Sequence, residues 1–229
     1  MERKIIKTGD GSVTIHLPQW DEQYHSKHGA VQEAQHVFIK MGLNYFVEHK
    51  ETAEIKILEI GFGTGLNAFI TFLQLERVQR KISYTGVEAF PVESSEIEKL
   101  NYAEILSAED KAEILTEMHK ISWEKETEIS ENFRLQKKKM RFEAIEEKKA
   151  FHLIYFDAFG ARVQPELWSE VLFKKMFEAL MPGGVLVTYA AKGSVRRAMQ
   201  AVGFVVERLP GPPGKREMLR AVKIINESC

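Results

Sequence analysis

Apolar and polar residues follow two different periods along the chain, and each change of period marks a new element. Short apolar runs bounded by polar or turn residues predict buried strands; they lie at 55–60, 82–87, 151–157 and 185–189. Apolar positions at helical spacing predict helices at 30–40, 66–74, 166–180 and 194–202, with Ser194 as the N-cap of the last. Strands and helices therefore alternate through the core of the chain.

The two ends of the chain follow a different pattern. Residues 5–17 alternate polar and apolar around Gly9-Asp10-Gly11, which predicts a small hairpin. Residues 204–209 and 218–224 predict a closing antiparallel pair of strands. Residues 93–149 carry 15 acidic and 11 basic side chains on helix-favouring sequence, and we expect solvated helices there.

Alternation of strands and helices implies parallel strands with right-handed crossovers, and a ligand site at their carboxyl ends. We therefore predict a Rossmann-like α/β fold, with one principal domain over residues 51–229. Residues 1–50 are expected to form a hairpin and helix extension that packs on it. The length of 229 residues and a hydrophobic fraction of 44% suit a core of this size.

The first core strand runs directly into a glycine-rich turn, Glu59-Ile-Gly-Phe-Gly-Thr-Gly-Leu-Asn67. Gly61, Gly63 and Gly65 lie at every second position, where a Cβ would hold the backbone away from a ligand or forbid a positive φ. This spacing differs from the Gly-x-Gly-x-x-Gly fingerprint of nicotinamide dehydrogenases. The turn predicts a nucleotide-cofactor site, although a tight strand-to-helix turn without a ligand would need glycines too.

Acidic residues end three of the predicted strands. Glu88 would lie beside the glycine turn, where a carboxylate can accept hydrogen bonds from both ribose hydroxyls; a capping or solvated role is the alternative. Glu59 could face the cofactor or serve as a structural acid beneath the turn. Asp157 could accept a hydrogen bond from an attacking amine and orient its lone pair, or cap the following turn.

Charge and cysteine content narrow the class of protein. The net charge of −1 gives no global attraction to nucleic acid, so a polyanion would have to bind a local patch. The single cysteine, Cys229, excludes a disulfide framework and a cysteine metal cluster. With no long apolar stretch and no apolar leader, the sequence predicts a cytoplasmic protein without a membrane span or a metal site.

Basic residues concentrate toward the end of the chain, where residues 192–229 contain eight basic and three acidic side chains. This excess predicts a phosphate-binding surface, with ordinary surface charge as the alternative. Our candidates for substrate contact are Lys192, Arg196, Arg197, Lys215 and Arg216, together with Phe159. Tyr24 and His25 could fold over the cofactor and stack on a base, or simply pack.

The glycine turn resembles the first motif of class I S-adenosylmethionine-dependent methyltransferases. The chain as a whole resembles the family of bacterial tRNA wobble-uridine methyltransferases. Four blocks carry the resemblance and span nearly the whole chain: Tyr24-His-Ser-Lys-His-Gly29 followed by Glu33, the glycine turn through Asn67, Phe156-Asp-Ala-Phe-Gly160 with Pro165-Glu-Leu-Trp168, and Gly214-Lys-Arg-Glu-Met218.

The resemblance implies a mostly parallel, seven-stranded sheet and transfer of a methyl group from S-adenosylmethionine to the amine of 5-aminomethyl-(2-thio)uridine at tRNA position 34. It implies cofactor contacts from Tyr24, Glu59, Gly61, Gly63, Gly65, Asn67, Glu88, Ala89 and Asp157, with Asp157 at the reacting amine. The protein would act as a stand-alone monomer, and upstream wobble-uridine modification enzymes would supply the aminomethyl group.

The sequence departs from the family pattern in two places. The usual Gly-Asp pair at the adenine is replaced by Lys139-Met-Arg-Phe-Glu-Ala144, which leaves Glu143 as a candidate for the adenine-binding acid. Gly160-Ala161 stands where a proline is usual. Two other functions stay open: a methyltransferase or aminopropyltransferase acting on a small amine, and a non-catalytic RNA-binding module, since fold alone does not establish activity.

Overall fold

The computed structural model describes residues 2–224, and Cys229 lies outside them. The N-terminal segment forms a small antiparallel sheet in the order β1-β2-β3. Its strands are β1 (Lys4–Lys7), β2 (Val13–Leu17) and β3 (Glu22–Gln23). The predicted hairpin is confirmed, and the third strand brings the Tyr24 region back against β2, where the Tyr24 N–H donates to the carbonyl of Ile15 at 2.9 Å.

The main sheet has eight strands in the order β10-β11-β9-β8-β4-β5-β7-β6. They are β4 (Glu54–Ile60), β5 (Lys81–Val87), β6 (Glu126–Ser130), β7 (Phe133–Lys138), β8 (Phe151–Phe156), β9 (Leu180–Thr188), β10 (Val205–Pro210) and β11 (Glu217–Val222). The central ladder from β9 through β8, β4 and β5 to β7 is parallel, and both edges are antiparallel. The mostly parallel α/β fold is confirmed, with eight strands instead of seven.

Helices cover both faces of this sheet. They are α1 (Ala30–Ala34), which continues through a π-helical segment (Gln35–Asn44) into α2 (Tyr45–His49), then α3 (Leu66–Phe72), α4 (Leu75–Val78), α5 (Ser94–Ile97), α6 (Tyr102–Ile105), α7 (Ala112–Lys120), α8 (Glu170–Ala179) and α9 (Gly193–Ala201). Short 3₁₀ turns lie at Glu109–Lys111, Phe142–Ala144 and Pro165–Trp168. The α1–α3 region and α7 cover one apolar core, while α8 and α9 cover the other.

The expectation of helices throughout residues 93–149 was wrong for its second half, which forms β6 and β7. The strand β7 buries Phe133, Leu135 and Lys137 at every second position. A lysine at an inward position hides this period of two from the sequence pattern, because lysine is rarely buried. The added edge strand β6 is the eighth strand of the sheet.

The predicted cap of the last helix was also wrong. The helix α9 begins at Gly193, and Lys192 occupies the N-cap position without a capping side chain. Ser194 is exposed and lies inside the first turn. By contrast, Ser169 caps α8 by accepting a hydrogen bond from the N–H of Leu172 at 3.4 Å.

The helix from α1 to α2 lies against β8 and β9, where Gly42 is close enough to the sheet that a Cβ would come within 2.9 Å of Val187. Residues 2–50 thus contact the sheet directly, and the domain boundary near residue 50 stays a prediction. Within residues 2–224, no helix has the length and apolar character needed to cross a membrane.

Candidate active site

The turn between β4 and α3 has the backbone conformation that its glycines predict. Gly61, Gly63 and Gly65 have φ values of 92°, 48° and 71°, all in the region that L residues rarely adopt. A Cβ on Gly61 would lie 2.7 Å from the carbonyl oxygen of Asp157, and one on Gly63 would lie 3.0 Å from the ring of Tyr24. The glycines therefore permit both the turn and the close approach of protein groups around it.

Thr64, at the centre of this turn, is fully buried and is held from three directions. Its Oγ1 accepts a hydrogen bond from the hydroxyl of Tyr102 at 2.9 Å and lies 3.5 Å from Nε2 of His25. Its carbonyl oxygen accepts a hydrogen bond from Nε2 of His119 at 2.9 Å. Burial lowers the pKa of each histidine to about 4, so both rings are neutral at physiological pH.

His25 belongs to the N-terminal segment and forms a further contact with Thr14, at 3.1 Å from Oγ1. The N-terminal sheet and the helices between β5 and β6 thus brace the turn together. His119 in turn accepts a hydrogen bond at its own carbonyl from Nζ of Lys137 at 2.6 Å. The Lys137 ammonium also lies 4.8 Å from the ring centre of Trp123. Burial lowers the pKa of Lys137 to about 8.

Glu88 lies beside the glycine turn, as its position after β5 predicts. One carboxylate oxygen accepts from the N–H of Gly63 at 3.1 Å and the other from the N–H of Phe90 at 2.8 Å. The side chain is only partly buried, and each oxygen retains a further lone pair. Glu88 is therefore fixed by the backbone and still able to accept hydrogen bonds from a ribose. Ala89 lies between these contacts and is partly exposed.

Asn67 links two acids at the carboxyl ends of neighbouring strands. Its amide Nδ2 donates to Glu59 Oε1 and to Asp157 Oδ2, both at 2.9 Å. The second oxygen of Glu59 and the amide oxygen of Asn67 are buried and have no hydrogen-bond partner within residues 2–224. Burial, the largest cause, raises the pKa of Glu59 well above its usual range.

The buried amide oxygen of Asn67, which has no partner within the described residues, fits the ammonium group of S-adenosylmethionine, because an unpaired buried acceptor is costly unless a ligand supplies a donor. Glu88 fits its ribose. The residues present therefore fit this cofactor at its methionine and ribose ends. Glu143, the candidate for the adenine, is exposed on the 3₁₀ turn after β7.

Asp157 follows β8 directly, and its backbone N–H donates to the carbonyl of Ile60 at the end of β4. Burial is the largest cause that raises the pKa of Asp157 to about 7. The charge of Glu33 raises it further, whereas the hydrogen bond from Asn67 and the charge of Lys215 lower it. A carboxylate with a pKa near neutrality can both accept and release a proton under physiological conditions.

A cleft of about 650 Å³ opens next to Asp157 at the same edge of the sheet. This volume lies in the range of small-molecule sites. Two of the segments that line it are residues 22–28 of the N-terminal extension and the Ala158–Arg162 loop after β8; the others are Glu33, residues 189–192, Val195 and residues 214–217. The ring of Phe159 packs edge-on against Tyr24 at 5.1 Å and against Trp20 at 5.8 Å.

Arg162 holds the first two of these segments together. Its guanidinium donates to the carbonyls of Trp20 and Asp21 at 2.8 and 2.6 Å, and it lies 3.4 Å from the carboxylate of Glu22. Sequence reasoning missed Arg162. It also missed Tyr189, whose hydroxyl donates to the carbonyl of Ala158 at 2.8 Å and so fixes the loop after β8. Its position directly after β9 was the available signal.

The basic residues predicted for substrate contact differ in their exposure and in their partners. Lys192 and Arg216 are exposed at the cleft, and Arg197 is exposed on α9. Arg196 is partly buried, and its Nε has no partner within the described residues. Lys215 is instead paired with Glu33, and its ammonium lies 3.9 Å from the ring centre of Tyr189.

Three further basic residues of the 192–229 segment are engaged by protein groups, Lys223 and Arg220 inside the protein and Arg208 at its surface. Lys223 donates to the carbonyls of Phe177 and Leu180, and Arg220 pairs with Glu207 at 2.7 Å. Arg208 lies 3.7 Å from Glu217. The local excess of charge in the sequence is therefore smaller at the surface. Within residues 2–224, no three acidic, histidine or cysteine side chains are arranged to hold a metal ion.

Comparison with known proteins gives consistent results. The chain is 30% identical over 228 residues to the tRNA 5-methylaminomethyl-2-thiouridine biosynthesis bifunctional protein MnmC of Cupriavidus metallidurans, a match that covers 93% of this chain and 33% of the relative. The protein of the same name from Magnetococcus marinus is 25% identical, over 91% of this chain and 32% of the relative. The chain thus spans about a third of the length of these relatives.

Solved structures show the same architecture. MnmC2 from Aquifex aeolicus superposes with a TM-score of 0.76 at 26% identity, over 96% of this chain and 69% of that one. Spermidine synthase from Thermotoga maritima superposes with a TM-score of 0.60 at 14% identity, over 98% and 69%, which shows the shared fold alone. A family profile described as S-adenosyl-L-methionine-dependent methyltransferase matches residues 105–224, more than half of the chain. The chain therefore belongs to the S-adenosyl-L-methionine-dependent methyltransferases.

Proposed function

We propose that this protein methylates the exocyclic amine of 5-aminomethyl-(2-thio)uridine at tRNA position 34 and gives the 5-methylaminomethyl form. The observation that carries the proposal is the convergence of the glycine turn, Asp157 and a cleft at one edge of the sheet. The relatives that match nearly the whole chain are named for this modification.

The chemistry requires a neutral amine, because an ammonium has no lone pair with which to attack. S-adenosylmethionine supplies an electrophilic methyl group when bound. Asp157 accepts one proton from the substrate ammonium and keeps the freed lone pair oriented. The nitrogen then forms a bond to the methyl carbon, and the electron pair of the broken carbon–sulfur bond remains on sulfur. The product is a secondary ammonium and a neutral thioether, and Asp157 passes its proton to water.

The cleft offers a suitable environment for a nucleotide. Aromatic rings of Tyr24 and Phe159 line it and could stack on a base. Lys192, Arg162 and Arg216 also line it and could contact phosphates. Burial raises the pKa of Tyr24 to about 12, so its phenol stays neutral. We assign the base to the aromatic wall and the backbone to the basic rim.

The test is transfer of labelled methyl groups from S-adenosylmethionine to tRNA from cells that lack this protein, followed by nucleoside analysis. We expect label in 5-methylaminomethyl-(2-thio)uridine. Label in another nucleoside, or none in tRNA while the protein binds the cofactor, would contradict the proposal. Thiolated and unthiolated tRNA should be compared in parallel, since both are chemically possible acceptors.

A second candidate is transfer to a small polyamine. Three carboxylates, those of Glu22, Glu33 and Glu217, line the cleft and would suit a polycation. The matching fold of spermidine synthase gives no support by itself, because fold does not determine substrate. Incubation with spermidine in place of tRNA distinguishes the two, and only the tRNA reaction should fall steeply with added salt.

We further propose a cytoplasmic setting, because tRNA is the substrate. An upstream reaction must install the aminomethyl group before this enzyme can act. We infer a monomer, because the cleft is formed within one chain. Gel filtration with light scattering tests this last inference, and a dimer that persists at low concentration would overturn it.

A further inference from the structure

Glu33 is the buried acid of the cleft that the proposed mechanism does not use. Its side chain is only 8% exposed, and one oxygen accepts a hydrogen bond from the backbone N–H of Ser26 at 3.2 Å. The other oxygen pairs with the ammonium of Lys215. Glu33 lies on α1, Lys215 precedes β11, and Asp157 follows β8, so distant parts of the chain converge here.

The partner of this acid is the primary ammonium of Lys215. It lies between two protein groups, and we call the space between them the box. The carboxylate of Glu33 forms one wall. The face of the Tyr189 ring forms the other, with Lys215 Nζ at 3.9 Å from the ring centre. A carboxylate and an aromatic face together are a favourable site for a cation. The hydroxyl of Tyr189 is anchored to the carbonyl of Ala158, which fixes the orientation of the ring.

Asp157 lies near this box, because the hydroxyl of Tyr189 is hydrogen-bonded to the carbonyl of Ala158, the residue that directly follows Asp157. The substrate of the proposed function carries the same chemical group as Lys215, an alkylammonium. A group that binds in the box would therefore lie next to the acid that is to take its proton.

Lys215 and Glu33 differ in how readily each can leave the ion pair and enter water. Lys215 is 31% exposed, stands on the connection between β10 and β11, and has a flexible stem that can carry its charge into water. Glu33 is held in a largely buried position, and a buried carboxylate without a counter-ion is strongly unfavourable. Departure of Lys215 is thus costly unless another cation replaces it.

We propose that Glu33 and the ring of Tyr189 form the subsite that receives the substrate ammonium, and that Lys215 holds this subsite until the substrate displaces it. The proposal rests on the proposed function and deepens it. An amine and a lysine exchange places, so the charge of the cleft stays balanced. An uncharged hydroxymethyl or methyl analogue cannot make this exchange, which gives the site its selectivity for an amine.

Glu33→Gln tests the subsite with little change of shape, because the amide oxygen can still accept from Ser26. We expect the KM for 5-aminomethyluridine tRNA to rise at least tenfold, while the Kd for S-adenosylmethionine stays within about twofold. Lys215→Met removes the competing ammonium and should lower that KM. Unchanged kinetics in Glu33→Gln, or an unchanged or higher KM in Lys215→Met, would overturn the proposal.

Glu207→Gln is a control for the loss of an ion pair outside the cleft, at an acid that is 43% exposed. Glu207 pairs with Arg220, whose guanidinium lies 3.5 Å from the ring centre of Tyr45, so this site has the same three parts and does not line the cleft. Loss of the ion pair between Glu207 and Arg220 shows how much the removal of an ion pair alone changes folding and, through folding, the KM. If Glu207→Gln raises the KM for tRNA as much as Glu33→Gln, the effect is structural and the subsite is disproved.

A second readout does not depend on tRNA. The Tyr189 ring should shift the ¹³Cε resonance of Lys215 upfield, and Lys215→Met assigns that signal by its absence. We expect ethylamine to move the signal toward that of a solvated lysine, whereas sodium chloride at equal ionic strength should not.

If ethylamine moves the signal but tRNA is not methylated, the subsite stands and the proposed tRNA function fails. If tRNA is methylated but neither ethylamine nor the substrate RNA moves the signal, the function stands and the subsite is disproved. If neither is observed, both fail.

Discussion

The side-chain amide of Asn67 donates a hydrogen bond to Asp157 at 2.9 Å and so joins the helix that follows the glycine turn to the acid that follows β8. The cofactor turn and the candidate base thus share one hydrogen-bond network. A shift of either is transmitted to the other, because the same amide nitrogen also donates to Glu59. Substitutions in this network should therefore affect cofactor binding and methyl transfer to different extents.

Replacement of Asp157 by Ala should abolish methyl transfer while cofactor binding persists. General-base contributions are typically ~10²–10⁴-fold, and a loss in this range is expected in kcat. Single-turnover kinetics and calorimetry with S-adenosylmethionine would measure the two effects separately. A parallel loss of both would show that Asp157 supports the fold or the cofactor and not the proton transfer.

The pH dependence of the reaction should follow the pKa of Asp157, which is about 7 in the cofactor-free protein. Activity should fall as the pH drops below this value, because the protonated acid cannot accept a proton. The hydrogen bond from Asn67 lowers this pKa, so Asn67→Ala should move the acidic limb of the profile to higher pH. The profile should be recorded at saturating cofactor, and a shift to lower pH would refute the expectation.

The free energy of unfolding should show that the buried carboxylate of Asp157 is unfavourable when it is ionised. The pKa of Asp157 is raised in the folded state. The favourable contribution of its protonated form to stability is therefore present at low pH and is lost as the pH rises through about 7. Asp157→Asn removes the buried charge and should therefore stabilise the cofactor-free protein at pH 8, on the order of 1–3 kcal/mol. Urea unfolding at pH 8 and pH 5 measures the difference. An Asn variant that is less stable than the parent at pH 8 would rule this out.

Thr64 and Tyr102 should behave as a coupled pair. Thr64→Val removes the acceptor of the Tyr102 hydroxyl and leaves a buried donor unpaired, which typically costs ~1–3 kcal/mol. Cofactor affinity should fall as well, because Thr64 lies in the centre of the turn. Adding Tyr102→Phe should restore part of the lost stability, since both polar partners are then absent. Denaturation of the four members of the cycle tests this; additive losses would argue against the coupling.

The basic rim should determine the salt dependence of tRNA binding. Arg216→Ala and Lys192→Ala should each weaken binding and reduce the slope of log K against log salt by up to about one. Arg77→Ala is the control, because Arg77 is exposed on α4 and does not line the cleft. Filter binding between low and moderate salt gives the slopes. Equal slopes for the rim variants and the control would remove the rim from the interface.

The pattern of residues was sufficient to predict the parallel core and the places where its strands end. Short apolar runs such as 151–157, bounded by polar or turn residues, are typical of buried parallel strands, and the glycines of the turn permit positive φ values. The acids Glu88 and Asp157 could be predicted for the same edge of the sheet, since carboxyl ends of parallel strands meet there. These inferences depend on local sequence and on general rules of connection.

The period of β7 could not be read because Lys137 occupies an inward position. Its ammonium is accommodated by the carbonyl of His119 and the ring of Trp123, both contributed by another element. Similarly, Lys215 looked like a surface cation in the sequence, and only the position of Glu33, 182 residues earlier, shows it to be engaged.

The sequence by itself therefore determined the parallel fold, the cofactor turn and the acids at the strand ends, because each depends on short-range pattern. The tertiary structure decided which charges are free and which are paired, and which side chains brace the turn. The physical reason is that burial and pairing of a charged group depend on partners supplied by distant segments, and no local pattern encodes them.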